Sequence, residues 1–82
     1  VLPGLVMGIA LQEKTAYVTT LYGGLEIVDI SHPDNPKLLS SLSPDPSGCH
    51  AVTLDGDIAY LACNSMKLII VNVKNPKKPD EY

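Results

Sequence analysis

A repeat with an offset of 43 residues constrains this chain more than any other feature. Residues 25–37 read LEIVDISHPDNPK, and residues 68–80 return as LIIVNVKNPKKPD. Sliding residues 1–39 onto 44–82 needs no gap, and nine aligned columns are identical. The identical pairs are Pro3/Pro46, Leu11/Leu54, Ala16/Ala59, Tyr17/Tyr60, Leu25/Leu68, Ile27/Ile70, Val28/Val71, Pro33/Pro76 and Pro36/Pro79. An ungapped match over the whole chain predicts two copies of one structural unit.

Each unit contains short runs of β-branched and aliphatic residues that are separated by turn-forming residues. These runs predict strands at 6–11, 15–20, 25–30 and 37–42 in the first unit, and at 49–54, 58–63 and 68–73 in the second. All seven prolines lie outside these runs, as continuous strand pairing requires. The chain has no initiator Met and ends where the fourth strand of the second unit would begin, so we expect both ends to be cut from something longer.

The last of these predicted strands is apolar on both faces. Period-two geometry places Leu68 and Ile70 on one face, and Ile69, Val71 and Val73 on the other. A strand of this kind predicts a sheet that is covered on both sides. Two stacked sheets cover only one face of each, so we expect the isolated chain to associate through its outward faces rather than to be a well-behaved monomer.

A period of about 40–45 residues with several short strands per unit is typical of β-propeller blades. Residues 25–29 match the letters LVIVD at four of five positions, and residues 68–72 match at three. With the Ala-Tyr pair upstream and the x-Pro-x-x-Pro turn downstream, the chain resembles the LVIVD repeat, a blade-like unit of bacterial and archaeal surface proteins. The resemblance covers essentially the whole chain. The family is defined by its scaffold, so no active-site residues are carried over from it.

The resemblance implies an all-β fold of two consecutive four-stranded antiparallel β-propeller blades, which together form part of one propeller. Repeat 1 would occupy residues 1–43, and repeat 2 would occupy residues 44–82 with a truncated outer strand. Because a closed ring needs about 4–8 blades, the expected partners are the remaining blades of a longer chain or copies of the chain itself. The resemblance also implies an extracellular or cell-surface location.

The charge of the chain argues against two classes of partner. The net charge is −3, composed of −2 for residues 1–43 and −1 for residues 44–82, and the sequence contains no Arg. Neither half offers the basic face that binding to nucleic acid or to an anionic membrane requires. No apolar run approaches the roughly 20 residues of a membrane span. No cofactor is predicted.

The two cysteines are expected to lie side by side. If the turn at 55–57 contains three residues, Leu54 lies opposite Ile58, and the same register places Cys49 opposite Cys63. A two-residue turn would misalign the cysteines by one position. Directly opposed residues are within reach of a disulfide, so the pattern allows either a disulfide or two neighbouring buried thiols, and the thiols are the favoured interpretation. No metal-ligand spacing is present.

Other polar residues have candidate roles that simpler explanations outweigh. His50 begins a first strand, the innermost strand of a propeller blade, and would face the central channel. Its counterpart is Met7, which favours a strand-end histidine without a ligand, and His32 is interpreted as a turn residue. Asp29, Asp34 and Asn35 have calcium-ligand chemistry, but the second unit has lysine at two of the equivalent positions, so local hydrogen bonds to the backbone are favoured.

A small basic patch lies on one rim of the second unit, and we expect it to serve solubility and the protection of strand edges. It consists of Lys74, Lys77 and Lys78.

Three hypotheses for function follow from the sequence. The leading one is a non-catalytic scaffold or binding module of a surface or secreted protein, with a protein or another ligand as its partner. The others are a fragment of a propeller enzyme with its site at the central channel, and a small subunit that assembles with copies of itself.

Overall fold

The computed structural model describes residues 5–21, 23–44, 48–64 and 66–82. Sheet 1 has the strand order β1-β2-β3-β4 and sheet 2 has the order β5-β6-β7-β8, all antiparallel. Within the described residues there is no helix. The structure is therefore all-β and is consistent with two propeller-like blades that are not closed into a ring.

The strands repeat as the sequence predicts. Sheet 1 contains β1 (Val6–Gln12), β2 (Thr15–Thr20), β3 (Gly24–Asp29) and β4 (Lys37–Leu42). Sheet 2 contains β5 (Cys49–Asp55), β6 (Ile58–Cys63), β7 (Lys67–Asn72) and β8 (Asp80–Glu81). Every strand of sheet 2 begins 43 residues after its counterpart. The predicted bounds of the strands differ from the observed bounds by one residue at most. The last strand, β8, has only two residues, so the first half of β7 is left as an open edge.

The prolines of the described residues lie between strands, as predicted. They are Pro33, Pro36, Pro44, Pro76 and Pro79. Pro3 and Pro46 lie outside the described residues.

The two sheets stack in the same orientation. The face of sheet 1 that carries Tyr17, Leu25 and Ile27 packs against the face of sheet 2 that carries Leu61 and Val71. A shift of 43 residues does not map one of these faces onto the other. It maps each packed face onto the outward face of the other sheet, so the packing is head to tail.

A shared core holds the sheets together. Leu25, Ile27, Leu61 and Val71 are fully buried between them. Burying a side chain of this size stabilises the fold by about 1.5–3 kcal/mol. The Ser40 hydroxyl also donates a hydrogen bond to the carbonyl oxygen of Pro76, which ties the β4 side of sheet 1 to the proline turn of sheet 2.

The closest approach between the sheets lies at Gly8 on β1. A Cβ atom at this position would lie 2.9 Å from the backbone oxygen of His50 and 3.3 Å from the Cα of Ala51, closer than ordinary van der Waals contact at 3.4–4 Å. Only a residue without a side chain fits between β1 and β5 at this distance. The equivalent residue in sheet 2 is Ala51 itself, which faces outward and is exposed.

A β-bulge follows the start of the first strand in each sheet. The register shifts between Val6 and Gly8 in sheet 1, and between Cys49 and Ala51 in sheet 2. The bulged residues are Met7 and His50, which lie at equivalent positions. Each bulge inserts one extra residue on the edge strand and bends it.

Candidate functional site

A polar cleft opens at one end of the interface between the two sheets. Its volume is about 190 Å³, and repeat 1 and repeat 2 both contribute to its walls. We call it the junction cleft, and its polar lining consists of Gln12, Glu13, Thr15, Tyr17, Asp57 and Lys74. Hairpin turns from both sheets meet here because the sheets stack with their strands in equivalent positions.

Two-residue hairpin turns place the carboxylates of Glu13 and Asp57 at the cleft. Glu13 and Gly56 are the first residues of their turns and have φ values of 56° and 60°. Positive φ at the first turn position alone is typical of a type II′ turn, for which glycine is the preferred residue. Gly56 meets this preference and brings Asp57 to the cleft, whereas Glu13 adopts the left-handed conformation at a cost in backbone strain.

Tyr17 lies at the buried wall of the junction cleft. Its side chain is 4% exposed, and its hydroxyl has no hydrogen-bond partner among the residues that the structure describes. Burial raises the pKa of this phenol above its usual value, and the nearby carboxylates of Asp57 and Glu13 raise it further. The phenol therefore stays protonated at neutral pH, with a free oxygen beside two anionic groups.

The junction cleft has the chemistry of a binding site. Glu13 and Asp57 offer anionic hydrogen-bond acceptors, and Lys74 offers a cationic donor. Across residues 5–21, 23–44, 48–64 and 66–82, no group of three or more His, Cys, Asp or Glu side chains is placed to hold a metal ion. The arrangement is suited to holding a small polar or charged group by hydrogen bonds.

The structure joins Cys49 and Cys63 by a disulfide, with their Cα atoms 3.8 Å apart. This differs from the favoured interpretation of two thiols. The expected three-residue turn was also wrong, because Asp55 pairs with Ile58 across a two-residue turn. That turn would misalign the cysteines by one position, but the bulge at His50 restores their pairing. The disulfide is buried, and repeat 1 has the pair Val6 and Thr20 at the same positions.

His50 has an exposed side chain at the bulge of β5. Its carbonyl oxygen faces Gly8 of the neighbouring sheet, so its backbone takes part in the contact between repeats. The structure does not bring other candidate ligands to this histidine among the described residues. The predicted position at a central channel stays a prediction, since two sheets do not enclose one.

Some polar side chains of the proline turns accept hydrogen bonds from the local backbone. The Ser31 N–H donates to Asp29 Oδ1 at 2.9 Å, and this bond lowers the pKa of the Asp29 carboxyl. In the second repeat, the Lys74 N–H donates to Asn72 Oδ1 at the same distance, 2.9 Å. The repeated Asx contact explains the acidic or amide residue at this position without a calcium ion. Asp34 and Asn35 are exposed in the same turn, as is His32.

The lysines of the basic patch, Lys74, Lys77 and Lys78, are all exposed after β7. The Lys77 N–H donates to Asn75 Oδ1 at 3.1 Å, so the proline turn again fixes the backbone. Only Lys74 lines the junction cleft. The patch is therefore split between a turn surface and the cleft.

Sequence reasoning missed the junction cleft. In the sequence, residues 12–14 and 55–57 only separate predicted strands, and Tyr17 is only one of the nine identical columns. The signal that joins them is the 43-residue offset itself, since it places both turns at the same end of the stacked sheets.

The comparisons with known proteins identify the repeat. The family model described as LVIVD repeat matches residues 3–43 and 49–82. Neither the curated proteins nor the solved structures gave a match. Within the described residues, no helix is long and apolar enough to cross a membrane. Because the matched residues make up most of the sequence, the chain belongs to the LVIVD repeat family and contains two copies of the repeat.

Proposed function

We propose that this chain is a non-catalytic β-propeller repeat segment that serves as a structural scaffold or binding module of a surface or secreted protein. The observation that carries the proposal is the pair of open apolar faces left by head-to-tail packing. Further repeats, from a longer chain or from other copies, would cover these faces.

The outer face of sheet 1 exposes apolar side chains along its edge strand β1, whereas Ala16, Val18 and Val28 in the middle of this face are buried. Ile9 and Leu11 are 60% and 63% exposed, although each lies beside a buried residue of β2. The equivalent face of sheet 2 is the one packed against sheet 1. The open face therefore has the same strand positions as a face that already binds a neighbouring repeat.

The outer face of sheet 2 also exposes apolar side chains. Leu68 is 65% exposed and lies beside the half-buried Ile70, and their counterparts in sheet 1, Leu25 and Ile27, are fully buried against sheet 2. Covering each exposed aliphatic side chain stabilises the assembly by up to about 1.5–3 kcal/mol. Each end of the two-repeat unit thus offers one half of the same interface.

The disulfide supports the proposed location, because such bonds form and persist in oxidising compartments outside the cytosol. The non-catalytic part of the proposal rests on the sequence, which offers no set of catalytic side chains at equivalent loop positions in the two repeats.

Analytical ultracentrifugation with two complementary variants tests the head-to-tail interface. Ile9→Glu blocks the outer face of sheet 1, and Leu68→Glu blocks that of sheet 2. Each variant alone should be monomeric, but a mixture should form a heterodimer through the two intact faces. Met66→Glu is the control, since Met66 is 98% exposed in a turn and should leave association of the chain unchanged.

A face that pairs with its own copy would give a different pattern. The variant that retains this face would still dimerise by itself. A sharp wild-type monomer that unfolds cooperatively would refute the proposed role of the open faces.

A further inference from the structure

The junction cleft contains a buried polar group whose bonding is incomplete. Tyr17 lines the cleft and is only 4% exposed, and its hydroxyl has no hydrogen-bond partner among the described residues. Buried polar groups are nearly always hydrogen-bonded to protein, water or a ligand. A group that enters the cleft therefore finds a free phenol oxygen at its inner wall.

Anionic acceptors lie beside this oxygen. Glu13 from repeat 1 and Asp57 from repeat 2 line the same cleft, and both are near enough to Tyr17 to affect its titration. Lys74 contributes the opposite charge, so the lining carries a net charge of −1 at neutral pH. An entering cation is favoured over an anion.

The chemistry of these acceptors selects among cations. An ammonium group has three N–H donors, which match two carboxylates and one phenol oxygen. Hydrogen bonds from an ammonium to a carboxylate are charge-assisted and short. A hard metal ion prefers six or more oxygen ligands, and the described residues provide no group of three candidate ligand side chains.

The acidic lining belongs to this junction and is not a feature of the repeat. The second repeat has Gly56 at the position of Glu13, while the tyrosine is kept as Tyr60. The phenol is thus part of the scaffold, and Glu13 is the addition that makes the cleft anionic.

We propose that the junction cleft binds a small primary ammonium group, held between Glu13, Asp57 and the Tyr17 hydroxyl. The site lies wholly within the two repeats. It does not depend on whether further repeats cover the outer faces, so this proposal and the proposed function fail or succeed separately.

Heteronuclear NMR of the ¹⁵N-labelled chain at pH 7 and constant ionic strength tests the site. The probe is n-propylammonium chloride, and shifts should be confined to the turns at Glu13 and Asp57 and to Tyr17. Tetramethylammonium has the same charge without N–H donors, and propionate has a similar size with the opposite charge. Neither should produce the localised shifts.

Conservative variants separate a binding role from a structural one. Tyr17→Phe removes only the hydroxyl, and Glu13→Gln removes only the charge of an exposed side chain. Each should weaken propylammonium binding by about tenfold or more, and Lys74→Gln should strengthen it, because repulsion is removed. Met66 lies before β7, whereas the lining residue Lys74 follows it, so Met66→Gln is the control and should bind as the wild-type chain does.

Three results would overturn the proposal. They are an absence of localised shifts with propylammonium, equal shifts with tetramethylammonium, and unchanged affinity in both Tyr17→Phe and Glu13→Gln chains that retain the wild-type spectrum elsewhere.

Discussion

Replacement of Gly8 by alanine should destabilise the contact between the two repeats. The new Cβ would lie 2.9 Å from the His50 carbonyl oxygen, and ordinary contact begins at 3.4 Å. Two of the three nearest atoms are backbone atoms of β5, which cannot rotate away as a side-chain end can. Sheet 2 must therefore move away from sheet 1 by about half an ångström, or the strands must bend.

The expected loss of stability in Gly8→Ala follows from overpacking. Inserting one methyl group into a well-packed interface costs about 1–3 kcal/mol. In a domain of this size, each kcal/mol lowers the Tm by about 4–8 °C. A loss of about 2 kcal/mol would therefore lower the Tm by roughly 8–16 °C.

Urea and thermal unfolding, followed by circular dichroism, measure the effect. The matched control is Ala51→Gly, the same change reversed at the equivalent position of sheet 2, where the residue is exposed. It should cost no more than the roughly 0.5–1 kcal/mol expected for glycine in a strand. If Gly8→Ala is as stable as the wild-type chain, the close approach of β1 and β5 is wrong.

Three further predictions concern a turn, the disulfide and a carboxyl group. Gly56→Ala should lower the free energy of unfolding by about 1–2 kcal/mol, because its φ is positive and no steric clash contributes. Glu13→Gly should raise the free energy of unfolding by up to about 1 kcal/mol, and urea titrations in which both variants change it in the same direction would contradict this. Reduction of Cys49–Cys63, which closes a separation of 14 residues, should cost about 3 kcal/mol, whereas a chain with both cysteines replaced by serine should unfold identically with and without reductant. NMR titration of Asp29 should give a pKa below 3.8, because the ionised carboxylate accepts the hydrogen bond from Ser31. The contribution of Asp29 to stability is therefore present above pH 3.8 and is lost as the pH falls through the lowered pKa. Asp29→Asn should abolish this pH dependence, and a titration midpoint at or above 3.8 would refute the Ser31 contact.

Sequence alone determined the repeat, the strands and the two faces of β7. These features are local or periodic: β-branched runs favour strands, prolines end them, and alternation assigns Leu68 and Val71 to opposite faces. An ungapped offset of 43 residues also assigns each strand of the first repeat its counterpart in the second.

Only the tertiary structure decided which face of each sheet is covered and where the junction cleft lies. Both faces of β7 are apolar, so composition does not show that Val71 is buried and Leu68 is open. The pairing of Cys49 with Cys63 depends on a bulge that compensates for a shorter turn, and the residue pattern does not predict this bulge. Glu13, Tyr17 and Asp57 meet because sheets from different repeats stack at a fixed distance. Sequence spacing specifies neighbours along a strand, whereas packing between sheets specifies neighbours across them.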